Sequence, residues 1–393
     1  MKILMVAPEP FFEPRGTPLS VYHRVKTLGE LGHEIHLVTY PFGEPVDLPG
    51  VRTFRSPRIP FLRRVKVGPS WAKIPLDLLL FLRVLARLGR ERYDCIHTHE
   101  EASLLGALLR RLFRLPHVYD MHSSLPQQFE NFAFTNSRAI IRVWTAMESW
   151  AVKASDLVVC ICPSLADVVK AIDRERPVLT IENPILFEGH VVPEATVAAL
   201  RRRFALEGRR VVLYTGTFEA YQGVDLLVRS VPRVLETAPG VRFLLVGGDD
   251  RQIAPMRELA RELGVLDAVV FTGQRPLGEM PVYFEVADIL VSPRITGTNT
   301  PLKIYSYLAS GRPIVATRIL AHTQVLTGEV AVLAEPTAEG LADGIRRLLA
   351  RDGPGAALAT QARAFAEARF SHAAYREKVE RAYARLATAA ARA

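Results

Sequence analysis

The chain of 393 residues has only three cysteines, Cys95, Cys160 and Cys162. They fall inside apolar runs without C-x-x-C spacing, which argues against a disulfide framework or a thiolate metal site and for small core residues in a reducing compartment. No run reaches the ~18 uninterrupted apolar residues of a membrane span. After Lys2 the N-terminus offers only Ile3 to Ala7 before Pro8, too short for a signal-peptide core, so a cytoplasmic protein is expected. The loop after that first run, P-E-P-F-F-E-P-R-G-T-P, carries Gly16 alone and no G-x-G-x-x-G, which disfavours a nicotinamide or flavin dehydrogenase. No nucleic-acid-binding motif accompanies the basic charge, and nucleic acid is not an expected partner.

What is present is a globular composition, 49% apolar and 23% charged, in a chain long enough for two or three domains. Strand-like apolar runs recur at Lys2 to Ala7, Glu34 to Thr39, Cys95 to Thr98, His117 to Asp120, Leu157 to Ile161 and Val178 to Glu182, with helical stretches between them. Continuous runs of this kind suit parallel strands covered on both faces, so the fold class is α/β with a doubly wound parallel sheet. Asn183-Pro184 breaks the pattern. A second alternating series begins at Val211 and continues through Arg242 to Gly247, Val269 to Gly273, Asp288 to Val291, Pro313 to Ala316 and Val330 to Leu333. The chain therefore reads as two tandem Rossmann-like domains, 1–185 and 186–370, followed by a capped helical segment, 371–393, that is packed rather than loose.

The net charge of +9 is unevenly placed. Between Arg52 and Arg92 stand eleven basic residues against Asp77 and Glu91, a local excess equal to that of the whole chain. Arg63, Arg64 and Lys66 are among them, interleaved with Phe54, Phe61, Leu62 and Trp71. Such a mixture suits an anionic membrane surface or a lipid-linked anionic substrate, with a merely solvated basic face as the alternative.

The stretch S-P-R-I-T-G-T-N-T-P-L-K-I-Y-S-Y-L-A-S-G-R-P-I-V-A-T, Ser292 to Thr317, reads as strand, loop, helix and strand. Thr300 suits an N-cap and Pro301 a first helical position, so the helix is expected to start there and to end near Gly311. Free amides in its first turn, with Lys303 beside them, suit a phosphate. His97 and His99, two apart at a strand end, share a face. They are open to packing, to acceptor contact, or, with Glu100 or Glu101, to a metal, although no other metal-like spacing supports the last. Asp120 reads as a buried, hydrogen-bonded strand residue and Glu148 as half of an ion pair within the first domain.

Taken in order, L-G-H-E-I-H-L-V-T, V-Y-D-M-H, I-E-N-P, L-Y-T-G-T-F-E-A-Y-Q-G-V-D-L-L, L-L-V-G-G, V-F-T-G and P-L-K-I-Y-S-Y-L-A-S-G-R-P-I-V-A-T resemble glycosyltransferase family 4, the retaining GT-B glycosyltransferases. The resemblance covers essentially the whole chain. It implies a nucleotide sugar in an interdomain cleft against the second domain, an acceptor on the first, a final helix crossing back onto the first domain, and transfer without a bound metal or other cofactor. The implied acceptor is a lipid-linked or cell-surface glycan, with an enzyme that is cytoplasmic or peripheral on the inner membrane face. Donor binding falls by resemblance to Gly16, Gly216, Thr217, Phe218, Gln222, Gly247, Gln274, Arg275, Thr298, Asn299, Thr300, Pro301, Leu302 and Ser306, and catalysis to His122, Lys303 and Arg294.

The chain departs from the family where charge matters most. Thr217 and Gln222 stand where an Arg and a Lys usually meet the diphosphate, and Thr298 and Ser306 where two glutamates are usual. Lys303 and Arg294, with Arg275, become the substitutes for the missing cations. A non-catalytic GT-B partner protein is one alternative. A nucleotide-sugar epimerase is another, weakened by the missing carboxylates.

Overall fold

The computed structural model describes residues 1–13, 16–60, 62, 70, 73–127 and 137–390. The expectations for Arg63, Arg64, Lys66, Phe61 and Trp71 lie outside them. The chain divides into two compact units, one of Met1–Asn183 with Ala373–Ala393 and one of Pro184–His372.

The first unit is built on seven parallel strands: β1 (Lys2–Ala7), β2 (Glu34–Thr39), β3 (Val51–Arg55), β4 (Cys95–His99), β5 (His117–Met121), β6 (Leu157–Cys160) and β7 (Val178–Thr180), in spatial order β3-β2-β1-β4-β5-β6-β7. Alternation along β1 sends Ile3, Met5 and Ala7 to one face and Leu4 and Val6 to the other. Each face is covered, which is why the run carries no polar residue from Ile3 to Ala7. Helix Gly16–Glu30 lies on the first face and Lys73–Leu88 on the second. β3 is an addition to the expected strands; V-R-T-F-R is half-exposed at the sheet edge and has no apolar run to announce it.

Helix His372–Ala390 belongs to this unit from Ala373 onward. Tyr375, Val379, Ala382, Tyr383 and Leu386 form one stripe at helical spacing, and all are buried against Ile3, Met5 and Leu28. Each large side chain so buried contributes roughly 1.5–3 kcal/mol. Lys378 adds an ion pair to Glu182 at 2.8 Å.

The second unit carries six parallel strands: β8 (Val211–Thr215), β9 (Arg242–Val246), β10 (Val269–Gly273), β11 (Ile289–Ser292), β12 (Ile314–Thr317) and β13 (Val332–Ala334), in order β10-β9-β8-β11-β12-β13. Helix Val224–Leu235 shows how its layers close: Val224, Leu227, Val228, Val231 and Val234 repeat at helical spacing and enter one core with Val212 and Phe243. The three cysteines are free and buried. Among the described residues no helix is long and apolar enough to cross a membrane.

The basic segment Arg52 to Arg92 is less of an open field than its count suggests. Arg55 donates to the carbonyls of Phe11, Gly43 and Glu44, Lys73 pairs with Glu101 at 2.7 Å, and Arg87 is buried over the Phe54 ring and paired with Glu91. Arg52, Arg58, Arg90 and Arg92 remain exposed. Beside them Ile74, Leu78 and Leu82, four residues apart on helix Lys73–Leu88, are more than half exposed.

Candidate functional site

In the second unit, β8 is followed by Gly216, whose φ of +144° lets the chain turn with no side chain in the way. A Cβ there would stand 2.9 Å from the Lys303 Nζ and 3.0 Å from the Tyr214 hydroxyl. A Cβ on Gly247, after β9, would stand 1.8 Å from the Gly216 carbonyl oxygen, and the Gly247 amide donates to the Gly273 carbonyl at 2.9 Å. Glycine at these strand ends thus leaves bare backbone at the carboxyl edge of β8, β9 and β10, where open parallel sheets place ligands.

Lys303 sits over this edge. Its Nζ is 4.0 Å from the centroid of the Tyr214 ring and 3.4 Å from the Gln222 side-chain oxygen. Burial pushes its pKa well below the ordinary 10.5, and the neighbouring Arg294 pushes the same way. The Arg294 guanidinium packs 5.0 Å from the Tyr221 ring and donates from Nε to the Thr296 carbonyl at 2.7 Å and from Nη1 to the Asn299 carbonyl at 3.2 Å. Burial lowers its pKa too, against the opposing pull of Tyr221 and Tyr214. Among the described residues no carboxylate lies within ion-pair distance of either cation. Two partly buried positive charges held by aromatic faces and neutral oxygens form an electrostatic cradle for an anion.

The remaining expected residues fall around this group unevenly. Thr217 is exposed and its carbonyl accepts from the Tyr214 hydroxyl at 2.6 Å, whereas the Phe218 ring turns into the core against Tyr214 and Phe271. Gln274 is exposed, and Arg275 is half-buried with its Nε lacking a hydrogen-bond partner. The Thr298 carbonyl is held by Gln324 at 2.6 Å, and the Thr298 hydroxyl reaches the Asn299 side chain at 3.3 Å. The helix begins at Lys303, with Leu302 as its N-cap, later than expected. The Ile304 amide first closes a tight turn onto the Pro301 carbonyl, and the Thr300 hydroxyl, buried without a partner, caps nothing. Gly311 follows the Ser310 cap at φ +71°, as a C′ glycine should. Ser306 lines a cavity of about 250 Å³ bordered by Phe187, His190, Phe284 and Arg363, its hydroxyl again without a partner.

Sequence reasoning passed over Tyr214, Tyr221 and His322. Tyr214 and His322 are buried like core residues. Burial drops the His322 pKa to about 4, with the Thr317 carbonyl opposing and Lys303 and Arg294 assisting. Its neutral ring donates from Nδ1 to the Thr317 carbonyl at 2.8 Å and accepts from the Ser292 hydroxyl at 2.9 Å, tying β11 to β12 beneath the Arg294 loop.

The first unit holds Gly16 and His122. Gly16 opens its helix at φ +49° with nothing near a Cβ position. His122 belongs to a buried network centred on Asp120. Arg24 Nε donates to Asp120 Oδ2 at 2.9 Å, and His97 Nε2 meets the same oxygen at 3.2 Å. His97 Nδ1 takes the Tyr383 hydroxyl at 2.6 Å. His99 Nδ1 lies 3.0 Å from His122 Nε2, so one ring donates to the other. Burial alone would raise the Asp120 pKa, but Arg24, His122, His97 and His99 together outweigh it and hold the carboxylate well below 3.8. Burial drops His122 to about 4 against the opposing pull of Asp120, so the ring is neutral at pH 7.

His97, His99 and Asp120 offer ligand atoms within 4.8 Å of one another, a geometry a metal ion could use. The donor set is committed elsewhere, because the single carboxylate is matched by Arg24 and both His97 nitrogens are engaged. Glu148 is a correction: it forms no ion pair among the described residues and instead accepts from the Leu125 amide at 2.6 Å and the Ser124 hydroxyl at 3.1 Å.

Residues 14–186 match a family model described as Glycosyltransferase Family 4, and residues 209–351 one described as Glycosyl transferases group 1. An uncharacterized glycosyltransferase of Methanocaldococcus jannaschii is 25% identical over 343 residues, 84% of each chain. Alpha-monoglucosyldiacylglycerol synthase of Streptococcus pneumoniae is 23% identical over 80% of this chain and 71% of its own length. Among solved structures, Anabaena HepE in complex with UDP superposes with a TM-score of 0.78 at 18% identity, over 98% of this chain and all of that one.

Proposed function

Because the chain belongs to the glycosyltransferases, with a family 4 domain followed by a group 1 domain on two Rossmann-like units of the GT-B class, we propose that it is a retaining, metal-independent enzyme. It moves a sugar from a nucleotide sugar to a hydroxyl of a lipid-linked or cell-surface glycan. The observation that carries this reading is the unpaired cation couple, Lys303 and Arg294, beside the bare glycine backbone of the second unit.

Transfer breaks the bond between the anomeric carbon and the diphosphate oxygen and makes one to the acceptor oxygen, whose proton passes to the departing diphosphate. Negative charge grows on the leaving diphosphate, and groups already oriented towards it lower the barrier because nothing must reorganise. Lys303 and Arg294 are such groups, and they take the part of the cations that Thr217 and Gln222 do not supply. The resemblance assigns the donor sugar to His122, whose neutral ring is held through His99 within the first unit. A diacylglycerol-linked sugar is named in the Streptococcus relative, and the exposed Ile74, Leu78 and Leu82 with nearby arginines would let this chain work at an anionic lipid surface.

The test is release of nucleotide diphosphate from a panel of nucleotide sugars, with and without membrane lipid, followed by the anomeric configuration of any product. Release with retained configuration is expected. Nucleotide binding without release from any donor would instead support the non-catalytic reading, which the absent glutamates at Thr298 and Ser306 favour. An inverted product would refute the retaining mechanism.

A further inference from the structure

In the first unit the chain passes from β1 to β2 on one side and then crosses to β4 on the other, so the sheet reverses its winding between β1 and β4. Crevices at such a reversal, outside the carboxyl ends of the strands, are where doubly wound sheets take ligands. The residues that follow those two strand ends are acidic: Glu9 after β1, Glu100 and Glu101 after β4. Glu9 is 7% exposed and among the described residues its buried Oε1 has no hydrogen-bond partner. Its strongest charged neighbour is Glu100, followed by Lys73 and Glu101. Around them lie Asp77, which accepts from the Tyr40 hydroxyl, and Ser123, whose hydroxyl reaches the Glu100 carboxyl at 2.9 Å. Lys73 is the one cation that faces this group among the described residues, and it is already spent on Glu101 at 2.7 Å.

Among the described residues these carboxyls, with Glu13 a weaker neighbour of Glu9, face one committed cation, and burial works against charge on Glu9, Glu100 and Asp77 alike. Burial, then Glu101, lifts Glu100 to about 8 and Asp77 to about 7, and burial with Glu100 lifts Glu9 well above 4.5. Near neutral pH the crevice therefore mixes carboxylic acids, which donate, with carboxylates, which accept. A sugar hydroxyl does both and brings no charge of its own. A phosphate brings two negative charges towards a group that already suppresses its own.

We propose that the crevice bounded by Glu9, Glu100 and Asp77 receives the acceptor as a phosphate-free polyol, a sugar or amino sugar whose hydroxyls engage the unpaired Glu9 oxygen. The proposal rests on the reading of the first unit as the acceptor domain and adds which acceptors it admits. Sugars phosphorylated near the reacting hydroxyl are rejected by like charge.

The experiment is ligand-observed NMR on the UDP-saturated protein, with glucose, glucosamine and myo-inositol against glucose 6-phosphate and myo-inositol 1-phosphate. At least one parent compound binds, and every phosphate binds at least about tenfold more weakly than its parent. Glu9→Gln weakens the parents about tenfold, because the amide puts an NH2 that can only donate in place of one carboxyl oxygen. Glu9→Lys reverses the ranking, and where the lysine does not fold, the near-isosteric glutamine still tests the contact. Both variants keep wild-type affinity for UDP. Phosphates that match or exceed their parents, parents that ignore Glu9→Gln, or a panel that fails to bind while UDP binds would overturn the proposal. Failure of UDP itself to bind would overturn the donor reading and leave the ranking of the sugars to stand on its own.

Discussion

Replacing Lys303 by methionine keeps the length and apolar stem of the side chain and removes only the charge. In the free protein the ammonium has one neutral acceptor, Gln222 at 3.4 Å, and the Tyr214 ring at 4.0 Å. Most of its three donors are therefore available to a ligand. A hydrogen bond between charged partners contributes about 1.5–3 kcal/mol net, so Lys303→Met should weaken UDP binding about 10- to 150-fold by calorimetry. A second signature separates charge from shape. Because the free-state pKa is pushed below 10.5 by burial and by Arg294, the protein sheds this proton before the unfolded chain does. A bound diphosphate favours the charged form, so binding takes up a proton between the free-state pKa and the higher pKa of the complex. Affinity should then fall with rising pH by up to tenfold per unit through that window, and Lys303→Met should flatten the slope. Stability runs the opposite way: the cost of the buried charge is full below the depressed pKa and relieved as pH rises to 10.5, so the methionine protein should be no less stable at neutral pH. A Kd within about twofold of wild type, or an unchanged pH slope in the variant, would refute the assignment of Lys303 to the diphosphate.

Three further outcomes follow from the same geometry. Asp120→Asn leaves Arg24 buried without its counter-charge and should cost about 3–5 kcal/mol in denaturant unfolding. Since burial is outweighed by Arg24 and the three histidines, which together hold the Asp120 pKa well below 3.8, its stabilisation is complete above 3.8 and lost as pH falls towards the depressed value, and the variant should lack that acid limb. Gly247→Ala meets the Gly216 backbone carbonyl oxygen at φ +125°, whereas Gly216→Ala, also strained at φ +144°, meets side-chain ends, the Lys303 ammonium and the Tyr214 hydroxyl; thermal unfolding should show the first as the more damaging, by about 1 kcal/mol or more. Leu78→Glu, at a side chain 59% exposed, should leave the unfolding midpoint within a few degrees and weaken sedimentation with vesicles of anionic phospholipid.

The parallel sheets were legible because strands covered on both faces are mostly apolar, and short runs such as I-L-M-V-A recur between helical stretches as parallel strands do. The edge strand Val51–Arg55 was not, since an exposed edge relaxes that demand and V-R-T-F-R reads as part of a basic segment. Within the site, Gly216 and Lys303 were visible from local pattern, one at a strand end and one near a helix start. Their support was hidden. Tyr214 belongs to a strand whose alternate residues all look like core, and Asp120 finds Arg24 at a separation of 96 residues. Glu148 misled because the nearest expectation for a buried carboxylate is a cation, whereas a free amide and a hydroxyl from the loop after β5 satisfy it. Thr300-Pro301 had the residue types of a helix start, but the Pro301 carbonyl is taken by a three-residue turn that delays the helix to Lys303.

The stripe on helix His372–Ala390 bears on the order in which the protein is made. A chain leaving the ribosome exposes its first unit early and can close the second while Tyr375, Tyr383 and Leu386 are still unsynthesised. Until they arrive, Ile3, Met5 and Leu28 lack part of their cover and His97 lacks its hydroxyl partner. The unit begun first is finished last, and for the interval of synthesis its sheet has an open apolar face that a chaperone, or another nascent chain, can find.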